Sequence, residues 1–192
     1  FAGTHTGPLL LPDGTELGDD ALLGPIEEQV RRTVSVGKAW VKAHPGDAEA
    51  LMALGAAEGI LGRMYATRRQ YIRGYLSARS AMKATRAAVE ADPSLIDAQL
   101  GLGMGDYFTD LYPRMIRPLA KVILRGDRAR GIERLRLVAE KGSWGKMAAK
   151  MLLVEISLHD PYGARDPELA VRLMEEVRAR YPTSAMLHSA QL

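Results

Sequence analysis

The 192-residue sequence predicts an all-α protein, and three observations carry the prediction. From residue 19 onward apolar residues recur three and four apart, the spacing that gathers them on one face of a helix. Period-two alternation, the mark of strands, is nearly absent. Prolines and glycines cut the pattern into pieces of helical length. With 47% hydrophobic and 26% charged residues the chain can bury a sizeable core, which excludes disorder for most of it. Cysteine is absent and the histidines are four, so disulfides, thiolate chemistry, cysteine-ligated zinc and iron–sulfur clusters are excluded. The longest uncharged apolar candidate, Ala50 to Ala57, stops at Glu58, far short of a bilayer span.

Residues 1–19 are rich in Gly, Thr and Pro and read as an extended arm, with a tight turn at Pro12-Asp13-Gly14. Leu9, Leu10 and Leu11 in this arm need covering, most simply by the first helices. The chain opens on Phe1 rather than Met, which reads as loss of an upstream segment such as a signal peptide and favours a periplasmic or otherwise extracytoplasmic location over the cytoplasm. Leu22, Leu23, Ile26, Val30, Val34, Ala39 and Trp40 mark a first helix ending near His44-Pro45, with Pro25 suited to its first turn. Beyond it one theme recurs: a helix, a turn, a second helix and a break. Pro45, Pro93 and Pro182 close helices, Gly126-Asp127 and Lys141-Gly142-Ser143 are further breaks, and Asp47 and Asp92 sit at helix boundaries. The run Tyr112 to Pro118 carries two prolines and reads as a loop with a short helix, while Thr183 to Leu192 reads as the opening of another helix.

The chain also repeats itself. Pro45, Ala50, Leu54 and Gly55 are matched, at a constant offset of 48, by Pro93, Ala98, Leu102 and Gly103. Leu54-Gly55 is followed by Ala81, Thr85, Ala88 and Pro93; Leu102-Gly103 by Gly131, Leu135 and Val138; and Leu152 by Ala170, Met174, Val177 and Pro182. In these residues the chain resembles the tetratricopeptide repeat family, over roughly residues 45–192. The first repeat is about 14 residues longer than the family's 34, which extends its hairpin and puts Met64 to Tyr75 at a protruding tip. Long, irregular repeats of this kind look like those of divergent bacterial relatives. The resemblance implies a right-handed α-solenoid of antiparallel helix hairpins over residues 20–192: about three hairpins, a preceding helix and a partial terminal repeat.

It further implies that the first helix of each hairpin lines a concave face. Counted along those helices, the lining residues are Glu49, Met52, Ala56, Gly59 and Ile60; then Asp97, Leu100, Met104, Tyr107 and Phe108; then Met147, Lys150, Val154 and Leu158. Such a methionine-rich apolar groove suits a partner helix or an extended peptide, although the same spacing is also that of plain core. The family's clamp for a carboxylate terminus uses Asn side chains, and this chain has no Asn.

A net charge of +3 hides an uneven distribution. Residues 61–90 hold seven Lys and Arg against one Glu, and residues 111–150 hold eleven against three acids, so the ends are net acidic. At the hairpin tip Arg63, Arg68, Arg69 and Arg73 are interleaved with Tyr65, Tyr71 and Tyr75, residue types common at binding hot spots and suited to stacking on single-stranded nucleic acid. The alternative is a solvated face on which Arg packs across Tyr of the next helix.

Enzyme signatures are lacking. HExxH and GxSxG do not occur, and the histidines lie far apart. Gly101, Gly103 and Gly105 imitate a phosphate loop without the preceding strand or the later Gly-Lys-Ser/Thr, and read as a close helix contact. Asp106 and Asp110, near Arg114 and Arg117, read as an electrostatic pairing. The sequence therefore leads to a non-catalytic scaffold without metal or cofactor that binds another protein through Met52, Ala56, Ile60, Leu100, Met104, Tyr107 and Phe108, oriented by Arg68, Arg69, Tyr71, Arg73 and Tyr75. Binding of nucleic acid or another polyanion by the basic middle, and self-assembly through the C-terminal helix, are the alternatives.

Overall fold

Aspartates and prolines set the helix boundaries in a computed structural model that describes residues 9–10, 16–17, 19–109 and 126–184. Helix α1 spans Asp19–Ala43 and α2 Ala48–Thr67; between them Asp47 accepts a hydrogen bond from the Ala50 amide at 2.9 Å and caps α2. Helix α3 spans Tyr71–Ala91 and ends before Pro93. Helix α4 spans Ala98–Thr109, α5 Arg128–Lys141, α6 Lys146–His159 and α7 Pro167–Arg180. Asp127 and Asp166 cap α5 and α7 as Asp47 caps α2, each accepting from the amide three residues on. Helix α6 has no side-chain cap; the turn leading into it is held by Asp97, buried just ahead of α4, which accepts from the amides of Ser143 and Gly145 at 3.0 and 3.1 Å.

The described residues are helical apart from connecting turns and one short ladder in the arm. Leu9–Leu10 pairs antiparallel with Glu16–Leu17, with Leu9 opposite Leu17. The extended arm thus folds back on itself; the turn expected at Pro12 to Gly14 lies outside the described residues. Helix α1 begins before Pro25 rather than at it, so the proline sits inside the helix. The expected loop at Tyr112 to Pro118 and most of the expected terminal helix after Thr183 also lie outside the described residues.

Packing runs chiefly between consecutive helices, with a lesser contact between α2 and α4. Direction follows from which residues meet. Glycines 62 and 74 face each other across α2 and α3, and Gly55 meets Thr85, so numbers fall along one helix as they rise along the other. Gly103 meets Gly131 and Leu135 in the same sense across α4 and α5, and Gly101 meets Thr85 while Gly105 meets Met82 across α3 and α4. Gly62, Gly74, Gly103 and Gly131 sit against backbone atoms of the facing helix and let the two backbones approach, while Gly101 and Gly105 make room for the Thr85 and Met82 side chains. The core follows the stack. Val34, Leu54, Leu61 and Tyr65 join α1 to α2, Leu51, Ala88 and Ala98 link α2, α3 and α4, and a larger cluster from Leu100 to Val177 fills the space among α4 to α7.

Candidate protein-binding surface

The outward face of α2 follows directly from its helical spacing. Ala53, Ala56, Gly59 and Ile60 fall on one stripe between Glu49 and Arg63, and all are exposed; Ile60 keeps 51% of its surface in solvent. Met52 is half-buried and packs toward Leu51, Ala88 and Ala98. On α4, Met104 and Phe108 are half-buried, resting on the large cluster with one side open.

Leu100 and Tyr107, expected on the same stripe, turn inward and are buried in that cluster. The reason is the close approach of α5, which meets α4 at Gly103, Asp106 and Tyr107 and takes up part of the face that the spacing assigns to a groove. On α6, Val154 is likewise buried, Met147 and Leu158 are half-buried, and Lys150 is ion-paired with Glu176 of α7.

At the α2–α3 end the cations divide into two kinds. Arg68 is ion-paired with Glu27 of α1, which also accepts from Arg31 at 2.8 Å. The Arg31 bond is the main influence that holds the Glu27 carboxyl below its ordinary value, against its partial desolvation and with Arg68 assisting. Arg73 lies 6.0 Å from the Tyr65 ring and donates to the Gln70 side chain at 3.3 Å, and Arg31 approaches the same ring at 5.4 Å. This is the packing of Arg across Tyr that was the alternative to a binding tip. Arg69 is exposed and stands in the left-handed region at φ 59°. Tyr71 is exposed and Tyr75 half-buried.

Four carboxylates hold the helices together, among them Asp97, which the spacing assigned to the concave face and which is buried instead against the turn before α6. Glu58, buried on α2, is bound by Lys38 of α1 at 2.6 Å and by the Ser80 hydroxyl of α3 at 3.0 Å. Asp106 is buried and takes a two-pronged contact from Arg130 at 2.9 and 3.0 Å and a third bond from Arg134 at 2.7 Å, so its described partners lie on α5. Burial depresses the Arg134 guanidinium from its ordinary value. Asp110, Arg114 and Arg117 lie outside the described residues. Asp160, buried at the end of α6, accepts from the Tyr107 hydroxyl at 3.0 Å, from Arg128 at 2.9 Å, and from the amides of Tyr162 and Ala164 at 2.9 and 2.8 Å. Burial would raise its pKa, but those four donors together outweigh it and hold the carboxyl below its ordinary value. The only local signal for these roles was a carboxylate at or near a helix end or among apolar neighbours.

His44 stacks on Trp40 with ring centres 4.3 Å apart, and the indole donates to Asp47 at 2.8 Å, so that corner is a structural joint. Among the described residues no three His, Cys, Asp or Glu side chains gather as a metal site would require, and no helix is long and apolar enough to cross a membrane. In comparisons with known proteins, no family model, no curated protein and no solved structure matches the chain.

Proposed function

We propose that the chain is a tetratricopeptide-like scaffold whose first hairpin helices, α2, α4 and α6, line a concave surface that receives a helix or extended peptide of another protein. The reading rests on Thr85. Its side chain meets Gly55 of α2 on one side and Gly101 of α4 on the other, so two successive first helices lie on one α3 residue. Both run opposite to α3 and therefore parallel to each other, as a solenoid of hairpins requires. The receiving strip is then Met52, Ala56 and Ile60 on α2 with Met104 and Phe108 on α4, apolar positions that keep open surface without a charge among them. Exposed apolar area of this kind, bounded by Glu49 and Arg63, supplies contact energy while the flanking charges fix direction.

Site-specific photo-crosslinking tests the reading. A crosslinker at Ala56 or Met104 yields one discrete partner adduct, absent from a probe at exposed Val171 on α7, and Ile60→Asp abolishes the adduct at Ala56. Equal adducts from Val171, or an adduct that survives Ile60→Asp, overturns it.

A further inference from the structure

The end of the α2–α3 hairpin carries a pattern that a peptide groove does not use. Tyr71, Ile72 and Leu76 are 67%, 78% and 55% exposed, and they stand together at the start of α3. On the same helix face, spaced four, three and four residues apart, Ile72 and Leu76 are followed by Arg79 and Lys83, both exposed. Arg69 and Arg73 flank the apolar group from the turn. Between Glu58 and Glu90 the chain has seven Lys and Arg and not one Asp or Glu. Glu27 of α1, which reaches this end through Arg68, is already held by Arg31 and Arg68.

Backbone geometry adds an independent mark. Arg69 occupies the left-handed region, where glycine is the unstrained choice, and the chain keeps a guanidinium there.

We infer that this hairpin end docks on an anionic lipid bilayer, with Tyr71, Ile72 and Leu76 entering the headgroup–acyl boundary and Arg69, Arg73, Arg79 and Lys83 lying against the headgroups. Charge complementarity selects a polyanionic surface, and the aliphatic side chains select lipid among polyanions. Nucleic acid offers flat bases and phosphates and gains little from Ile72 and Leu76. An acidic peptide would need a cleft, whereas these side chains project from the end of a hairpin. The inference is independent of the concave strip, since it uses no residue of that strip.

The test uses the intact chain with vesicles of mixed phosphatidylserine and phosphatidylcholine, and with vesicles of phosphatidylcholine alone. Association is expected with the mixed vesicles only, weakening as salt rises, and falling roughly tenfold or more in Arg69→Glu/Arg73→Glu. Circular dichroism checks that the double variant keeps its helices. Because the chain has no cysteine, Ile72→Cys gives a single attachment point for a polarity-sensitive dye. The dye shifts to the blue on mixed vesicles, while the same dye at Val171→Cys does not, and this arm requires no charge variant. Equal binding to neutral vesicles, no association at low salt, or no dye shift at position 72 overturns the inference. So does equally tight binding of short single-stranded DNA with the dye unmoved, which assigns the cations to nucleic acid.

Discussion

The Tyr107 hydroxyl donates to Asp160 at 3.0 Å, joining α4 to the end of α6 across 53 residues of sequence with both side chains buried. Burial first, and then the neighbouring carboxylate, push the phenol well above its usual range, so it remains a donor. Tyr107→Phe leaves Asp160 three other donors and is expected to cost about 1 kcal/mol. Asp160→Ala removes the acceptor that the Tyr107 hydroxyl, Arg128 and two loop amides share and is expected to cost about 3–5 kcal/mol. Urea unfolding of the two variants checks the order.

Acid sensitivity follows from the same carboxyl. Its folded pKa lies below the unfolded value of 3.8 because the four donors outweigh burial, so its stabilisation is complete above that pH and is lost as pH falls through the folded value. The stability gap between the native chain and Asp160→Asn should therefore stay constant from pH 7 to about pH 5 and narrow below about pH 4. Urea midpoints across that series measure it; a gap that widens in acid contradicts the assignment.

Two glycine substitutions should move stability in opposite directions. A Cβ on Gly131 would lie 2.7 Å from the Tyr107 amide nitrogen and 2.8 Å from the Gly103 carbonyl, both backbone, so Gly131→Ala must part α4 from α5 at a cost of about 1–3 kcal/mol. At Gly59 the nearest atom to such a Cβ is Ala81 Cβ at 4.0 Å, and Gly59→Ala should gain about 0.5–1 kcal/mol from helix propensity. Thermal melts of both variants decide the sign.

Asp97, ahead of α4, fixes the turn that leads into α6. Asp97→Ala removes the acceptor for the Ser143 and Gly145 amides, and about 1–2 kcal/mol of stability with it. Hydrogen exchange should quicken first at residues 143–149, at the start of α6, and leave α2 unchanged.

Arg69→Gly relieves the left-handed strain and should raise stability by up to about 1 kcal/mol, while weakening vesicle association. A variant that becomes more stable and binds vesicles less well separates the residue's structural cost from its use.

The sequence by itself determined the helical class, because the spacing of apolar residues within one segment is a local property. It determined most boundaries too, since Pro45, Pro93, Gly142 and Pro182 each stop a helix regardless of what surrounds them. Gly101, Gly103 and Gly105 were legible as close-contact residues, and each meets a neighbouring helix. Only tertiary structure decided which surfaces stay open. Leu100 and Met104 share one stripe in sequence, yet Leu100 is closed off and Met104 half-open, because the approach of α5 and α6 takes one side of α4 and no residue of α4 records that approach. Ion pairing was hidden for the same reason: the arginines that follow Asp106 most closely in sequence are Arg114 and Arg117, and the antiparallel return of α5 is what brings Arg130 and Arg134 to it. Periodicity tells a helix which of its faces is apolar, while the choice among possible neighbours is made by how closely whole helices can pack.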